Sequence, residues 1–188
     1  MTDRALTIID HSDRVENLFA PFKDIIGADY PAYRGHVYRT ITYAMHFLGG
    51  DAAHRPIVET AFVYHDIGLW TDHQLDYLEP SEALALRHNA EQGWGFDPEL
   101  LRNIIHWHHK IFAYTGPEAA VVNACRKADW IDATGGMMRK GLSKAQVRQV
   151  EDAIPNYGFG DVLQRLAGEL GGNRIAGNFK VLARVFKI

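Results

Sequence analysis

An all-α, single-domain bundle is the fold class that the sequence predicts, and three observations predict it. Apolar side chains recur at spacings of three and four residues along most of the chain, which is the period of an amphipathic helix. No convincing stretch alternates apolar and polar residues as a half-buried strand does. The length of 188 residues is typical of one domain. We therefore expect residues 1–188 to form a single helical bundle.

The predicted helices share two boundary signals, a capping residue or proline at the start and a glycine after the end. The first four are expected over about residues 12–26, 31–48, 56–67 and 80–92. The later ones are expected over about residues 98–111, 117–132, 144–153, 162–170 and 178–186. Asp97-Pro98 is a strong start signal, because a capping side chain directly precedes a proline at the first helical position. The polar segment 69–79 is expected to be a loop.

Composition and charge argue against several classes of function. The formal net charge is −3, so the chain has no broad basic surface for nucleic acid or an anionic membrane. Cys125 is the one cysteine, which excludes an intramolecular disulfide and a thiolate metal cluster within the chain. No apolar run approaches the ~20 residues that span a bilayer, and no signal-peptide pattern opens the chain. We expect a cytoplasmic protein without a nucleic-acid or membrane partner; a homo-oligomer stays open.

The His65-Asp66 doublet is the most informative local feature, since it follows an apolar stretch and lies just before Gly68. Burying an imidazole and a carboxylate side by side is costly unless a partner compensates them. A metal ion suits this pair, because it accepts both nitrogen and anionic oxygen ligands. His36 and Asp129 lie on two further predicted helices. Together the four side chains form a mixed nitrogen and oxygen set of the kind that helix bundles use to bind metals.

These residues resemble the signature of the HD-domain superfamily of metal-dependent phosphohydrolases. The matching motifs, in order, are His36-x-x-Arg39, His65-Asp66-Ile67-Gly68, Ile105-x-x-His108-His109 and Ala128-Asp129. They fall within about residues 30–135. The resemblance implies a helical bundle of the HD-domain type. It also implies one divalent metal ion, held by His36, His65, Asp66 and Asp129.

The resemblance raises the question of a second ion. Two-metal members of the family add histidines between the doublet and the last aspartate, and this chain offers His88, His106, His108 and His109. The paired histidines match the family positions best, which makes His108 the expected ligand of a second ion; which of the four enters the site stays open. Several nucleotide-cleaving members carry a glutamate three residues after the aspartate, where this chain has Leu69. A nucleotidase is therefore disfavoured.

The function that this resemblance implies is hydrolysis of a small, anionic phosphorylated or phosphoester substrate. A divalent ion would polarise the phosphoryl oxygen and lower the pKa of a bound water from 15.7 toward ~7. Asp66 is expected to orient that water, and Arg39 and His108 or His109 to neutralise charge on the phosphoryl oxygens. For Arg39, pairing with a carboxylate is an equal alternative. The metal is Mn, Zn, Fe, Ni, Co or Mg, because His/Asp sites accept several ions; one ion is expected, and two are the alternative.

Two rival functions keep the same site. Some HD-fold relatives hold two irons on six His or Asp ligands and use O₂ to cleave a C–C or C–P bond. A catalytically silent, metal-stabilised ligand-binding module is the other, and Leu69 is its only support. Among the remaining residues near these motifs, we expect Asp132 to be an ordinary helix-end residue, His88 to be structural or solvent-facing, and Tyr77 to line the core or the pocket wall.

Overall fold

Ten α-helical segments make up most of residues 5–172, the part of the chain that the computed structural model describes. These are α1 (Asp13–Phe19), α2 (Lys23–Ile26), α3 (Tyr30–Phe47), α4 (Arg55–Tyr64), α5 (Gly68–Thr71), α6 (Leu78–Glu91), α7 (Pro98–Trp107), α8 (Ala119–Ala133), α9 (Lys144–Ala153) and α10 (Phe159–Gly171). Strands are absent from this range. Within it, no helix is both long enough and apolar enough to cross a membrane. The prediction of an all-α bundle is confirmed.

Two helix starts agree with the prediction because their signals are local. The Asp97 side chain accepts hydrogen bonds from two backbone N–H groups in the first turn of α7. At the start of α9, Ser143 and Gln146 form a reciprocal capping box, in which each side chain accepts from the other residue's backbone N–H. Both devices satisfy N–H groups that have no partner inside the helix. They fix the boundaries at residues 98 and 144, where the sequence places them.

Other boundaries differ from the prediction for identifiable reasons. The expected helix 12–26 is divided into α1, a 3-10 turn and α2, because Pro21 lacks the N–H that an unbroken helix needs. Segment 69–79 is only partly a loop: α5 occupies its start, and α6 begins at Leu78, since a first helical turn tolerates Pro80. α7 ends at Trp107, earlier than expected. The predicted helix 178–186 lies outside the described residues.

Helix α3 is the central element of the bundle and packs against α4, α8, α9 and α10. Its apolar side chains Val37 and Ile41 are fully buried, and so are the polar His36 and Arg39. Polar groups in such a helix need partners inside the core, because water cannot reach them. The partners come from α8 and from the ends of α4 and α9. The candidate site is therefore built inside the bundle, around α3.

Candidate metal centre

Five histidine and aspartate side chains converge where the turns after α4 and α7 meet α3 and α8. They are His36 from α3, His65 and Asp66 from the turn after α4, His108 from the turn after α7, and Asp129 from α8. Each is at most 5% exposed. The structure thus brings together the four ligands that the resemblance implies, and it adds His108. We call this group the ligand cluster.

The turn between α4 and α5 places the doublet in the cluster. The Tyr33 hydroxyl accepts a hydrogen bond from the backbone N–H of Asp66 at 3.3 Å, which fixes this turn against α3. Gly68, expected to end a helix, instead begins α5. Its missing side chain matters because a Cβ atom there would lie 2.5 Å from the backbone oxygen of Tyr77. Glycine is needed for this close approach of two backbones.

Three histidines direct the same ring nitrogen into the cluster. The Nδ1–H of His65 donates to the Phe62 carbonyl at 2.6 Å, and that of His108 donates to the Ile105 carbonyl at 2.6 Å. The Nδ1–H of His36 donates to a buried carboxylate at 2.7 Å. A carbonyl or an ionised carboxylate oxygen can only accept, so Nδ1 carries a proton in each ring, and Nε2 offers a lone pair when the ring is neutral. Metal-binding histidines are oriented in this way.

The spacing of the inward-facing atoms fits a metal ion. Nε2 of His36 and Nε2 of His65 lie 3.0 Å apart. Oδ1 of Asp129 lies 3.5 Å from the first and 3.8 Å from the second. Two neutral imidazole lone pairs at such a distance repel each other unless a proton or a cation lies between them. Bonds of about 2.1 Å in tetrahedral or octahedral geometry place ligand atoms about 3.0–3.4 Å apart. The two histidine nitrogens have this spacing, and Oδ1 of Asp129 lies slightly farther from both.

Asp66 connects two parts of the cluster. Its Oδ2 lies 3.2 Å from Nε2 of His65, and its Oδ1 lies 3.4 Å from Nε2 of His108. The ligand atoms of His65, Asp66 and His108 all lie within 4.8 Å of one another, and the same holds for His36, His65 and Asp129. A carboxylate whose two oxygens face the ring nitrogens of different histidines can bind two ions, one through each oxygen. The arrangement therefore suits one ion and supplies part of the ligand set for a second.

Asp132 belongs to the site, so its assignment as an ordinary helix-end residue is wrong. Its buried carboxylate accepts the Nδ1–H of His36 on Oδ2, and Arg39 donates to both of its oxygens. Of the two alternatives for Arg39, the structure therefore favours pairing with a carboxylate. A signal was present in the sequence: Asp132 follows Asp129 by three residues, as Arg39 follows His36, and residues so spaced share one helix face.

His109 and Tyr77 lie next to the ligand cluster. Nδ1 of His109 is 3.1 Å from Nε2 of His108 and 3.4 Å from the Tyr77 hydroxyl. Nε2 of His109 is buried and has no hydrogen-bond partner within residues 5–172. Burial, reinforced by His108, lowers the pKa of His109 to about 2, so its ring is neutral. The unpartnered nitrogen is a position where a polar atom of a bound molecule could be recognised, and Tyr77 lies beside the same ring.

The other two histidine candidates have partners elsewhere. His88 is half-buried, and its Nδ1 lies 2.7 Å from the Tyr64 hydroxyl. His106 is also half-buried, with its Nδ1 2.8 Å from a carboxylate oxygen of Glu82. Neither belongs to the groups of side chains whose ligand atoms converge. Of the four candidates for a second ion, the structure brings His108 into the cluster and His109 beside it.

The ligand cluster and the adjoining Asp132–Arg39 pair together have three carboxylates and one guanidinium. Burial alone would lower the pKa of His36, but hydrogen bonds with Asp129 and Asp132 raise it to about 9. Burial would likewise raise the pKa of Asp66, but the neighbouring histidines hold it well below its usual value. The potential that favours a proton on His36 also favours a divalent cation.

Comparison of the chain with protein-family models, with curated proteins and with solved structures finds no match. The assignment of this site therefore depends on its geometry. What the described residues form is a helical bundle with a buried histidine and aspartate cluster that could hold a metal ion, an arrangement compatible with an HD-domain centre.

Proposed function

We propose that this protein is a metal-dependent hydrolase of the HD-domain type that acts on a small phosphorylated or phosphoester substrate. The observation that carries the proposal is the common orientation of three buried histidines. Each donates its Nδ1–H to a fixed acceptor and presents Nε2 to the space shared with Asp66 and Asp129. Neutral imidazole and carboxylate ligands suit a first-row divalent ion.

His36, His65, Asp66 and Asp129 would hold the ion. When bound, it would supply a water of lowered pKa and polarise the phosphoryl oxygen. Asp66 accepts a hydrogen bond from the attacking water and orients it toward phosphorus. The neutral His109 ring presents its otherwise unpartnered Nε2 as an acceptor for a polar hydrogen of the substrate. Its Nδ1 lies near both Nε2 of His108 and the Tyr77 hydroxyl.

The role first expected for Arg39 changes in this proposal. Its guanidinium is fully buried and engaged with Asp132, so it does not contact the substrate in this scheme. Charge on the phosphoryl oxygens would instead be neutralised by the bound ion.

A two-ion variant is supported by the position of His108, whose Nε2 lies 3.4 Å from Oδ1 of Asp66. The di-iron oxygenase alternative needs six ligands, whereas five converge within residues 5–172. His88 and His106, which could have completed the set, are bonded to Tyr64 and Glu82. This shortage favours hydrolysis over oxygen chemistry.

The proposal is tested by assaying the purified protein with p-nitrophenyl phosphate, bis-p-nitrophenyl phosphate and a panel of phosphorylated metabolites. Each assay is run with Mn²⁺, Zn²⁺, Co²⁺, Ni²⁺, Fe²⁺ or Mg²⁺. We expect metal-dependent release of phosphate or alcohol that is lost in His65→Ala and retained in Glu59→Gln, a buried carboxylate outside the cluster. Metal binding without turnover on any substrate would favour the silent module, and consumption of O₂ with two irons per chain would favour the oxygenase.

A further inference from the structure

The Asp132–Arg39 ion pair is almost completely buried. Arg39 is 0% exposed, and Asp132 is 6% exposed. Burying two charges costs more in desolvation than their attraction returns, unless other polar atoms are also satisfied. Here each nitrogen of Arg39 has an acceptor. Nε and Nη2 donate to Asp132, and Nη1 donates to the carbonyls of Ile154 and Pro155.

The pair acts on one metal ligand in particular. Oδ2 of Asp132 accepts both the Nδ1–H of His36 at 2.7 Å and the Nη2–H of Arg39 at 2.8 Å. The first bond fixes the His36 tautomer, and the second fixes the carboxylate. The Phe159 ring also stacks on the His36 ring, with centroids 4.1 Å apart and planes inclined by 16°. Both the direction and the plane of His36 are therefore set from outside the cluster.

The segment that joins α9 to α10 supplies part of this support. It contains both carbonyls that accept from Arg39, and it leads into Phe159. Its close approach to α3 depends on Gly35. A Cβ atom there would lie 2.8 Å from the Pro155 oxygen and 3.0 Å from Nη1 of Arg39. Residues 154–159 thus dock on α3 directly behind a metal ligand.

We propose that Asp132 and Arg39 are positioning residues of the metal centre, which hold Nε2 of His36 toward the ion and make the 154–159 segment a structural part of that centre. The inference deepens the proposed function and rests on its claim that the cluster binds a metal. Mutation of a carboxylate that accepts the second N–H of a ligand histidine typically lowers metal affinity 10–100-fold.

The test compares Co²⁺ affinity, measured by competition with a chromophoric chelator, in the full-length wild type, Asp132→Asn and Arg39→Lys. The matched control is Glu59→Gln, which removes a buried carboxylate that accepts from Arg55 at 2.7 Å on α4 and lies outside the ligand cluster. We expect Asp132→Asn to weaken Co²⁺ binding by about 10–100-fold and to change the Co²⁺ absorption spectrum. Glu59→Gln should bind as the wild type does. Arg39→Lys should weaken binding and speed amide exchange in residues 154–159, because lysine cannot reproduce the forked contacts.

Four other outcomes contradict the inference in different ways. Wild-type affinity and spectrum in Asp132→Asn would overturn the positioning role and leave the metal site intact. An equal loss in Glu59→Gln would show a general effect of removing buried charge, which also overturns it. If the wild type binds no Co²⁺, the inference fails together with the proposed function on which it rests. Should Asp132→Asn not fold, Arg39→Lys decides, and wild-type affinity in that variant overturns the inference.

Discussion

Helix α3 carries two polar clusters, which differ in whether every hydrogen-bond acceptor faces an evident donor. The first is the ligand cluster around His36; the second joins Glu16 of α1 to Arg34 and Tyr38 of α3. In the second, Oε1 of Glu16 accepts from Nε of Arg34 at 2.8 Å and from the Tyr38 hydroxyl at 2.7 Å. Each acceptor there meets a donor. In the first, by contrast, Nε2 of His36 faces Nε2 of His65 at 3.0 Å.

Under the proposed function, this contrast separates a structural cluster from a metal-binding one. The Glu16 cluster contains its own cation, Arg34, so it is complete once the chain has folded. The ligand cluster contains two carboxylates and no guanidinium of its own, and its side chains could hold a metal ion. We therefore expect removal of a metal ion to affect the ligand cluster alone. Removal of a carboxylate should lower metal affinity when it comes from the ligand cluster, and only the stability of the fold when it comes from the Glu16 cluster.

Asp66→Ala should have the largest effect of the variants that compare the two clusters, a loss of metal affinity. Because Asp66 faces both His65 and His108, we expect its loss to weaken metal affinity by more than the about 10–100-fold typical of outer-shell partners. Elemental analysis after dialysis measures the retained ion, with Glu16→Gln as the matched carboxylate variant that should keep it. Wild-type metal content in Asp66→Ala would show that the ion binds elsewhere.

Removal of the metal ion should have the next largest effect, a decrease in the free energy of unfolding. An ion that binds only the folded chain stabilises it by about 2.7 kcal/mol at a free concentration 100 times its Kd. Urea unfolding with and without the ion should show this increment in the wild type and in Glu16→Gln, and no increment in Asp66→Ala. Equal stability of the wild type under both conditions would contradict a binding cluster.

Glu16→Gln should have a moderate effect on stability and none on metal content. The Glu16 side chain is about one quarter exposed (24%), so its charge-assisted hydrogen bonds are partly screened by water. We expect a loss of about 1 kcal/mol in the free energy of unfolding, measured in urea. A change in metal stoichiometry in this variant would break the distinction between the clusters.

The smallest effect is the pH dependence of that loss. Burial would raise the pKa of Glu16, but hydrogen bonds with Arg34 and Tyr38 lower it from its ordinary value of 4.5. A carboxyl group whose pKa is lower in the folded state stabilises the fold above its unfolded pKa, and this contribution disappears as the pH falls through the folded pKa. The stability difference between wild type and Glu16→Gln should therefore shrink below about pH 4.5. A difference that grows with acid would contradict this assignment.

Those parts of the fold that depend on neighbouring residues could be predicted from the sequence. The capping box of Ser143 and Gln146 fixes α9 at its predicted bounds, because both partners lie within one turn. The ligands His36, His65, Asp66 and Asp129 could be proposed because their order and spacing match a known pattern. The break at Pro21 follows from the same local rules, although the hydrophobic period of the segment conceals it.

The features that could not be predicted from the sequence depend on contacts between distant segments. Asp132 gains its role because α8 packs on α3, which brings its carboxylate to His36 and Arg39 across 96 and 93 residues of chain. Gly68 is required by the backbone of Tyr77, and no local turn signal reveals that contact. Which of the paired histidines faces the cluster was equally a matter of tertiary geometry.

The most direct test of the central claim is anomalous diffraction from crystals soaked in Mn²⁺, with data collected at an energy where manganese scatters strongly. We predict a peak about 2.0–2.3 Å from Nε2 of His36 and of His65 and from carboxylate oxygens of Asp66 and Asp129. A second peak next to His108 would indicate two ions. An ordered map with no peak among these residues, or with manganese bound only at the surface, would contradict the account.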